Sequence, residues 1–389
     1  MTKNKNTLSQ YMNAAVKNKS KPGKKLYLDS LNFLDEPEVA DLTVAEEDAK
    51  KKKKNKGKNR KKKNLKTAPT YKDALPLCKT VEEVEGWLLE GNATFQELAF
   101  KSALRKKLPS DLLNGLDMLL TLQGATSEST LLDPGIQLSA FHQLHESLVA
   151  VSGISGNEVE FAKVTIIDGQ FATSHHDTQL ELYGIKESSR RILSKMSPNY
   201  FGIVEVALFN SHKHPSGGRL VSPHVHAIIW GTDVLAKAQD LAQTLNATIT
   251  PNATGAKPVV VKRVDPDAVN LARVAAYLVK SQDKCITFYP GKDGKPGNTH
   301  HSRKPDRPIR YLRLAEIRSM LTFKDVTFAS GEGRTIRSGI AKMLTLLAQE
   351  QARKARFRFH PAEIPSFWCK LKVAMGTTRF NLPVIKRTK

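Results

Sequence analysis

The chain has 389 residues and a formal net charge of +23, from 61 Lys/Arg against 38 Asp/Glu, with 40% hydrophobic residues. That size suits two or three folded units, while no run of about 18 apolar residues offers a membrane span and the N-terminal lysines lack the apolar stretch of a secretory leader. The three cysteines, Cys78, Cys285 and Cys369, lie far apart without a CxxC pair, which argues against a disulfide scaffold or a cysteine-rich zinc module and for a reducing cytoplasm.

Residues 1–75 read as a mostly disordered, Lys-rich tail, poor in aromatics. Within it, residues 50–66 carry twelve Lys/Arg and no acid. Residues 67–300 sum to −2, and residues 301–389, with 20 basic and six acidic groups, to +14. Two basic flanks around a near-neutral middle suit a polyanionic partner such as nucleic acid, because phosphate contacts release counterions. A lysine run alone can equally solvate a tail.

Residues 76–150 are predicted to form a helical subdomain. Thr80 with Glu83 and Thr94 with Glu97 each fit a capping box, in which a hydroxyl and a carboxylate satisfy free backbone amides. Further helices are expected over 110–121 and 135–150. A different texture runs over 151–300. A β-branched strand is predicted at 160–168, then a helix from a third capping box at Thr178 and Glu181 to Met196. Strands at 201–209 and 223–230 flank a polar connection, a helix covers 233–246, and a strand covers 257–264. Asp265 as N-cap and Pro266 as first helical residue open a helix reaching about Ser281. The order β-α-β-β-α-β-α predicts an α+β fold with an antiparallel sheet of the ferredoxin-like, split βαβ kind. Residues 288–297 suggest a hairpin tip. Residues 301–389 are expected to form a basic, helical extension. Its cation clusters at 307–313 and 353–358 are interleaved with Tyr311, Phe357 and Phe359, which makes Arg310 and Arg313 candidates for DNA contact. A solvated helical face would look similar.

His224 and His226 are separated by one residue within a strand, so both imidazoles point to one face. Two nitrogen ligands on a rigid element suit a divalent ion. A third ligand is expected from Glu205, a carboxylate set between Val204 and Val206 where burial is costly unless it is paired or metal-bound. The connection between the strands leaves their register open, so Glu205 could instead face water on an edge. His212 and His214 compete for the third place, and His175, His176, His300 and His301 are weaker candidates.

On the helix 267–281, Asn270, Arg273, Tyr277 and Lys280 are spaced by three, four and three, forming one polar stripe. The stripe is expected to hold Tyr277 away from the packed face, beside two cations. Phenol ionises near pH 10, so a nucleophilic tyrosine needs cations or a metal to favour the phenolate. A divalent ion on the histidines would polarise a scissile phosphate, with Lys280 assisting and Asn270 and Arg273 meeting DNA.

Together, the strand 222–226 with its two histidines and the helix segment 276–280 with Tyr277 and Lys280 resemble the HUH endonucleases. The likeness is to rolling-circle replication initiators of plasmids and phages that use a single tyrosine, and it covers roughly 158–290. It implies Mg²⁺ or Mn²⁺ at the histidines and Glu205, attack by Tyr277 on single-stranded or extruded origin DNA, a 5′-phosphotyrosine, and a later rejoining step. Some members carry an acid one turn before the tyrosine, where this chain has Arg273. A host DNA polymerase would extend the freed 3′-hydroxyl. With no GxxxxGK[ST] in the sequence, unwinding would come from a host helicase or supercoiling. A transposase or conjugative relaxase would share this chemistry on another substrate, and a non-catalytic nucleic-acid-binding protein would keep the histidines as structural groups.

Overall fold

The structure, a computed structural model, describes residues 75–104, 108–121, 130–155, 159–176, 179–249, 256–280, 285–289, 298–302, 309–354, 363–376 and 384–385. Of the tail expected over 1–75, residues 1–74 lie outside them, while Leu75 is buried at the start of a short 3-10 turn. Three helices lead: α1 (Val81–Leu104), α2 (Ser110–Thr121) and α3 (Pro134–Ser155). Thr80 begins α1 as expected, its hydroxyl accepting from the Glu83 amide at 3.2 Å. The Glu83 carboxylate, however, takes the Lys79 amide and not that of Thr80. The second capping box starts nothing. Val84, Trp87, Leu88, Gly91, Phe95 and Leu98 are all buried along one continuous helix, and this packing overrides the local start signal at Thr94. α3 opens on Asp133, whose carboxylate accepts from the amides of Gly135 at 2.7 Å and Ile136 at 3.2 Å, with Pro134 at the first helical position.

The sheet strands follow: β1 (Glu160–Ile166), the short β2 (Thr173–Ser174) and β3 (Gln179–Leu180), then α4 (Leu182–Met196), β4 (Asn199–Lys213), β5 (Arg219–Gly231), α5 (Val234–Thr248), β6 (Val259–Val264) and α6 (Ala268–Val279). α4 begins after Glu181, later than predicted, because Gln179 and Leu180 pair as a strand with Val384 and Ile385. Thr178 lies outside the described residues. α6 is capped by Asp267, whose Oδ1 accepts from the Asn270 amide at 2.9 Å, two residues beyond the Asp265 that was expected. The rest comprises β7 (Cys285–Tyr289), β8 (Asn298–Ser302), α7 (Ile309–Ser319), α8 (Phe323–Val326), β9 (Thr327–Ser330), α9 (Glu332–Lys354), α10 (Glu363–Ala374) and β10 (Val384–Ile385). β7 and β8 pair antiparallel around the expected hairpin tip, residues 290–297 of which are not described.

The fold is thus α+β. The sheet runs β6-β1-β5-β4-β7-β8, with β2 on β5 and β9 on β4. The β1/β5, β1/β6, β4/β5 and β4/β9 pairs are antiparallel, and β4 meets β7 in a parallel pair. From Leu220 to Trp230 every residue of β5 but His224 is buried, so both sheet faces are covered. One continuous core includes the N-terminal helices, the sheet and the helices after residue 310. The Phe95 ring of α1 meets Tyr311 of α7 edge-on at 6.2 Å, and the Trp368 indole of α10 donates to Ser319 of α7 at 2.8 Å. α9 lies so close to β4 that a Cβ at Gly333 would sit 2.0 Å from the Tyr200 carbonyl oxygen. Among the described residues, no helix is long and apolar enough to cross a membrane.

Candidate metal centre

The register left open by the sequence is set by the β4/β5 ladder, which places Glu205 directly opposite His224. On the other side of β5, Thr165 of β1 sits opposite His226, with Lys163 opposite Ile228. Side chains two apart share a face, so Glu205, His224, His226, Thr165 and Lys163 come together on one side of the sheet. The Glu205 Oε2 atom lies 3.0 Å from His226 Nε2 and 3.8 Å from His224 Nε2, and the two Nε2 atoms are 3.1 Å apart. The three donor groups all fall within 4.8 Å of one another.

The remaining ring nitrogens are occupied in ways that aim both Nε2 atoms inward. His224 Nδ1 is 3.2 Å from the Ser222 carbonyl, and His226 Nδ1 is 2.9 Å from the Thr165 hydroxyl. Such outer hydrogen bonds orient metal-binding imidazoles. Burial pulls His226 down to about 3 against the opposing hydrogen bond it donates to Glu205. Burial also lowers His224. Burial alone would raise the Glu205 carboxyl, but the Lys280 ammonium and then the hydrogen bond from His226 outweigh it and hold the group well below the usual carboxylate range. Two neutral imidazoles and one carboxylate, converging at hydrogen-bond separations, fit a divalent metal ion. Glu205, His224 and His226 could therefore hold one.

α6 brings Tyr277 to this group. Its ring centroid is 4.7 Å from that of His226, at 70°. Lys163 Nζ lies 3.8 Å and Lys280 Nζ 4.2 Å from the Tyr277 ring centroid. Burial raises the phenol, Lys280 lowers it and Glu205 raises it, with burial the largest influence. The tyrosine is half-buried against the histidine face, and not held away from the packed surface as the stripe had suggested. The Lys280 ammonium reaches past it to the Glu205 carboxylate. A further buried cation, Arg318, donates to the Leu131 carbonyl at 2.7 Å; burial brings it to about 10, while Glu205 pulls the other way.

The structure brings Glu205, His224, His226, Tyr277 and Lys280 together. The other stripe residues are turned to different work. Asn270 accepts from Arg273 at 2.6 Å and donates to Asp267, and Arg273 also donates to the Cys78 carbonyl. They tie the start of α6 to the segment before α1. Arg313, expected at a DNA surface, is only 3% exposed and pairs with Glu316, which also receives Lys372 at 2.8 Å. Residues 311–319 are all buried, so this guanidinium belongs to the core. Tyr311 is likewise a core residue. The side chain of Arg310 lies outside the described residues, as do those of His212, His300, His301, Phe357 and Phe359. His175 accepts from the Arg219 amide at 2.6 Å and stacks near His176, while His214 bonds Ser216 at 2.6 Å. None of these three belongs to the ligand group.

Lys163 and Thr165 are the residues that sequence reasoning missed. Their signal was present: a lysine and a threonine two apart among Phe161, Ala162, Val164 and Ile166, as unusual there as Glu205 is in its own strand.

The fold and site define an α+β protein with a buried two-histidine, one-carboxylate candidate metal centre beside a tyrosine. Comparison with protein-family models, curated proteins and solved structures finds no match.

Proposed function

We propose that the chain is a metal-dependent, single-tyrosine enzyme of the HUH type that nicks and rejoins DNA, acting as a rolling-circle replication initiator. The observation that carries this reading is the placement of Tyr277, 4.7 Å ring to ring from His226, beside the converging nitrogens of His224 and His226 and the carboxylate of Glu205. The sheet order β6-β1-β5-β4, with α4 between β1 and β4 and α5 between β5 and β6, supports the split βαβ core expected from the order of elements in the sequence, with the catalytic unit over 151–300. The net charge of +23 suits a DNA partner.

In this reaction Tyr277 Oη attacks the scissile phosphorus, a P–Oη bond forms, and the bond from phosphorus to the 3′-oxygen breaks. The phenol gives up its proton and the leaving 3′-oxygen gains one, so protons balance. The phosphate stays esterified to Tyr277 at the 5′ side, and the freed 3′-hydroxyl serves a host polymerase, with a host helicase opening the duplex in the cytoplasm. Rejoining reverses the step: a 3′-hydroxyl attacks the phosphotyrosine and releases the phenol. When bound, Mg²⁺ or Mn²⁺ supplies charge neutralisation at the phosphate oxygens. The chain's own residues do the rest. Burial keeps both imidazoles unprotonated, Thr165 orients His226, and Lys163 and Lys280 hold positive charge against the Tyr277 ring where negative charge develops. In a nicking assay with origin hairpin DNA, Tyr277→Phe should bind normally and form no covalent adduct. An adduct with that variant would overturn the assignment.

A further inference from the structure

A second feature lies away from the tyrosine, along the outer edge of β4 where β9 and α9 pack. One face of α9, together with Lys324 of α8, lines an open cleft of about 440 Å³, in which Arg337, Ser338, Lys342, Thr345 and Gln349 alternate with the apolar Ala341 and Leu346. Among the described residues, no carboxylate lines it. The residues from 337 to 349 recur every three or four positions, so the cleft follows the helix for about 18 Å. Behind it, α4 adds Lys186 and Arg190.

These cations are held in place by the fold. Arg337 Nε donates to the carbonyl and hydroxyl oxygens of Thr327, each at 3.1 Å, and Nη2 donates to the Lys324 carbonyl at 3.2 Å. Lys186 donates to the Asp325 carbonyl at 2.8 Å, and the Arg190 guanidinium lies 5.7 Å from the Phe328 ring centroid. The nearby acids are engaged: Glu187 with Arg190, and Asp325 in the capping box of Thr322. The crowding has an energetic signature, since burial and then neighbouring Arg190 depress both Lys186 and Arg337. Asp325 and Glu187 offset part of this at Lys186, and Lys324, Arg337 and Lys342 along the cleft leave a positive field that an anion relieves.

We propose that this cleft binds the sugar-phosphate backbone of duplex DNA, as a second contact separate from the Tyr277 centre. The inference rests on the nucleic-acid reading above. Lys, Arg, Ser, Thr and Gln are the side chains that contact phosphates without reading sequence. A cleft that follows a rigid helix for about 18 Å can meet several phosphates of a strand spaced about 3.4 Å apart along the axis. Single strands are favoured by aromatic platforms, and among the described residues no aromatic ring lines the cleft. The occupant is therefore the duplex beside the nicked strand.

The test uses the full chain, a 20-base-pair duplex and a single strand of equal length, with binding followed by fluorescence anisotropy across a salt series. Lys324 and Lys342 are exposed, so the charge-reversed pair Lys324→Glu/Lys342→Glu keeps the fold. It should weaken duplex binding about tenfold or more and reduce the slope of log affinity against log salt by about two. Adduct formation on the single strand should stay at the wild-type level. Lys237→Glu, an exposed reversal on α5, should leave the slope unchanged. The cleft assignment falls if the double variant matches wild type in duplex affinity and slope, if Lys237→Glu causes the same loss, or if polyglutamate of equal charge outcompetes the duplex. Those outcomes leave the nicking function standing when the adduct still forms. A wild-type chain that neither binds DNA nor forms an adduct overturns the function and the cleft together.

Discussion

Lys280, three residues after Tyr277, rests its ammonium on the carboxylate of Glu205. One cation thus spans the candidate nucleophile and the only acidic member of the ligand group. A metal ion bound to Glu205 must share that carboxylate with an ammonium, and like charges at this range oppose each other. Lys280→Met should therefore tighten Mn²⁺ binding about tenfold, or about 1.4 kcal/mol. The same change should slow adduct formation, because the cation beside the phenol is gone. Calorimetric Mn²⁺ titration and single-turnover nicking measure the two effects. A loss of both would contradict this division of roles.

Thr165 reaches the candidate metal centre through His226, from 2.9 Å. Thr165→Val keeps the shape and removes the hydroxyl. Mn²⁺ affinity should fall about tenfold or more, and stability by about 1 kcal/mol. Unchanged affinity in the calorimeter would mean that Thr165 does not orient the imidazole.

Lys163 lies 3.8 Å from the Tyr277 ring centroid and contributes no metal ligand. Lys163→Met should slow adduct formation about tenfold, the scale of a desolvated cation–π contact. Mn²⁺ affinity should be unaltered. A parallel loss of metal binding would instead show a general collapse of the sheet face.

Acid should weaken the fold through His226. Its imidazole is held at about 3 by burial, whereas the unfolded chain takes up a proton near 6.5. Between those values the unfolded state binds more protons, so stability drops as pH falls, by at most about 1.4 kcal/mol per unit. Asp133 works in the opposite sense. Burial raises its carboxyl to about 7, so its contribution is present at low pH and is lost as pH rises through that value. His226→Asn removes the first contribution and leaves the second. In urea melts with chelator present, wild type minus variant should shrink from pH 7 to pH 5. A constant difference would contradict the account.

The strands and helices that carry the site were legible because their apolar periods are strong, and His224, His226, Tyr277 and Lys280 stand out against them. Which way Glu205 faces was not legible. That depends on an irregular hairpin whose register shifts between Leu208 and Lys213, and register is a property of the paired strands. Local signals failed where packing competed with them. Thr94 and Glu97 look like a helix start, yet the buried side of α1 continues through them. Asp265 and Asp267 are equally good caps by composition, and only the reach of Asp267 to the Asn270 amide separates them. Arg313 read as a surface cation because its partners are split. Glu316 is one turn away, but Lys372, which completes the buried network, is 56 residues on.

The central claim is that Tyr277 is the nucleophile of a metal-dependent strand transfer. Mass spectrometry of the protein after reaction with an origin oligonucleotide and Mn²⁺, followed by nuclease and protease digestion, tests it most directly. One nucleotide-phosphate adduct is expected, confined to the peptide containing Tyr277 and absent when chelator replaces the metal. An adduct on another residue, or cleavage of the DNA with no adduct at all, would contradict it.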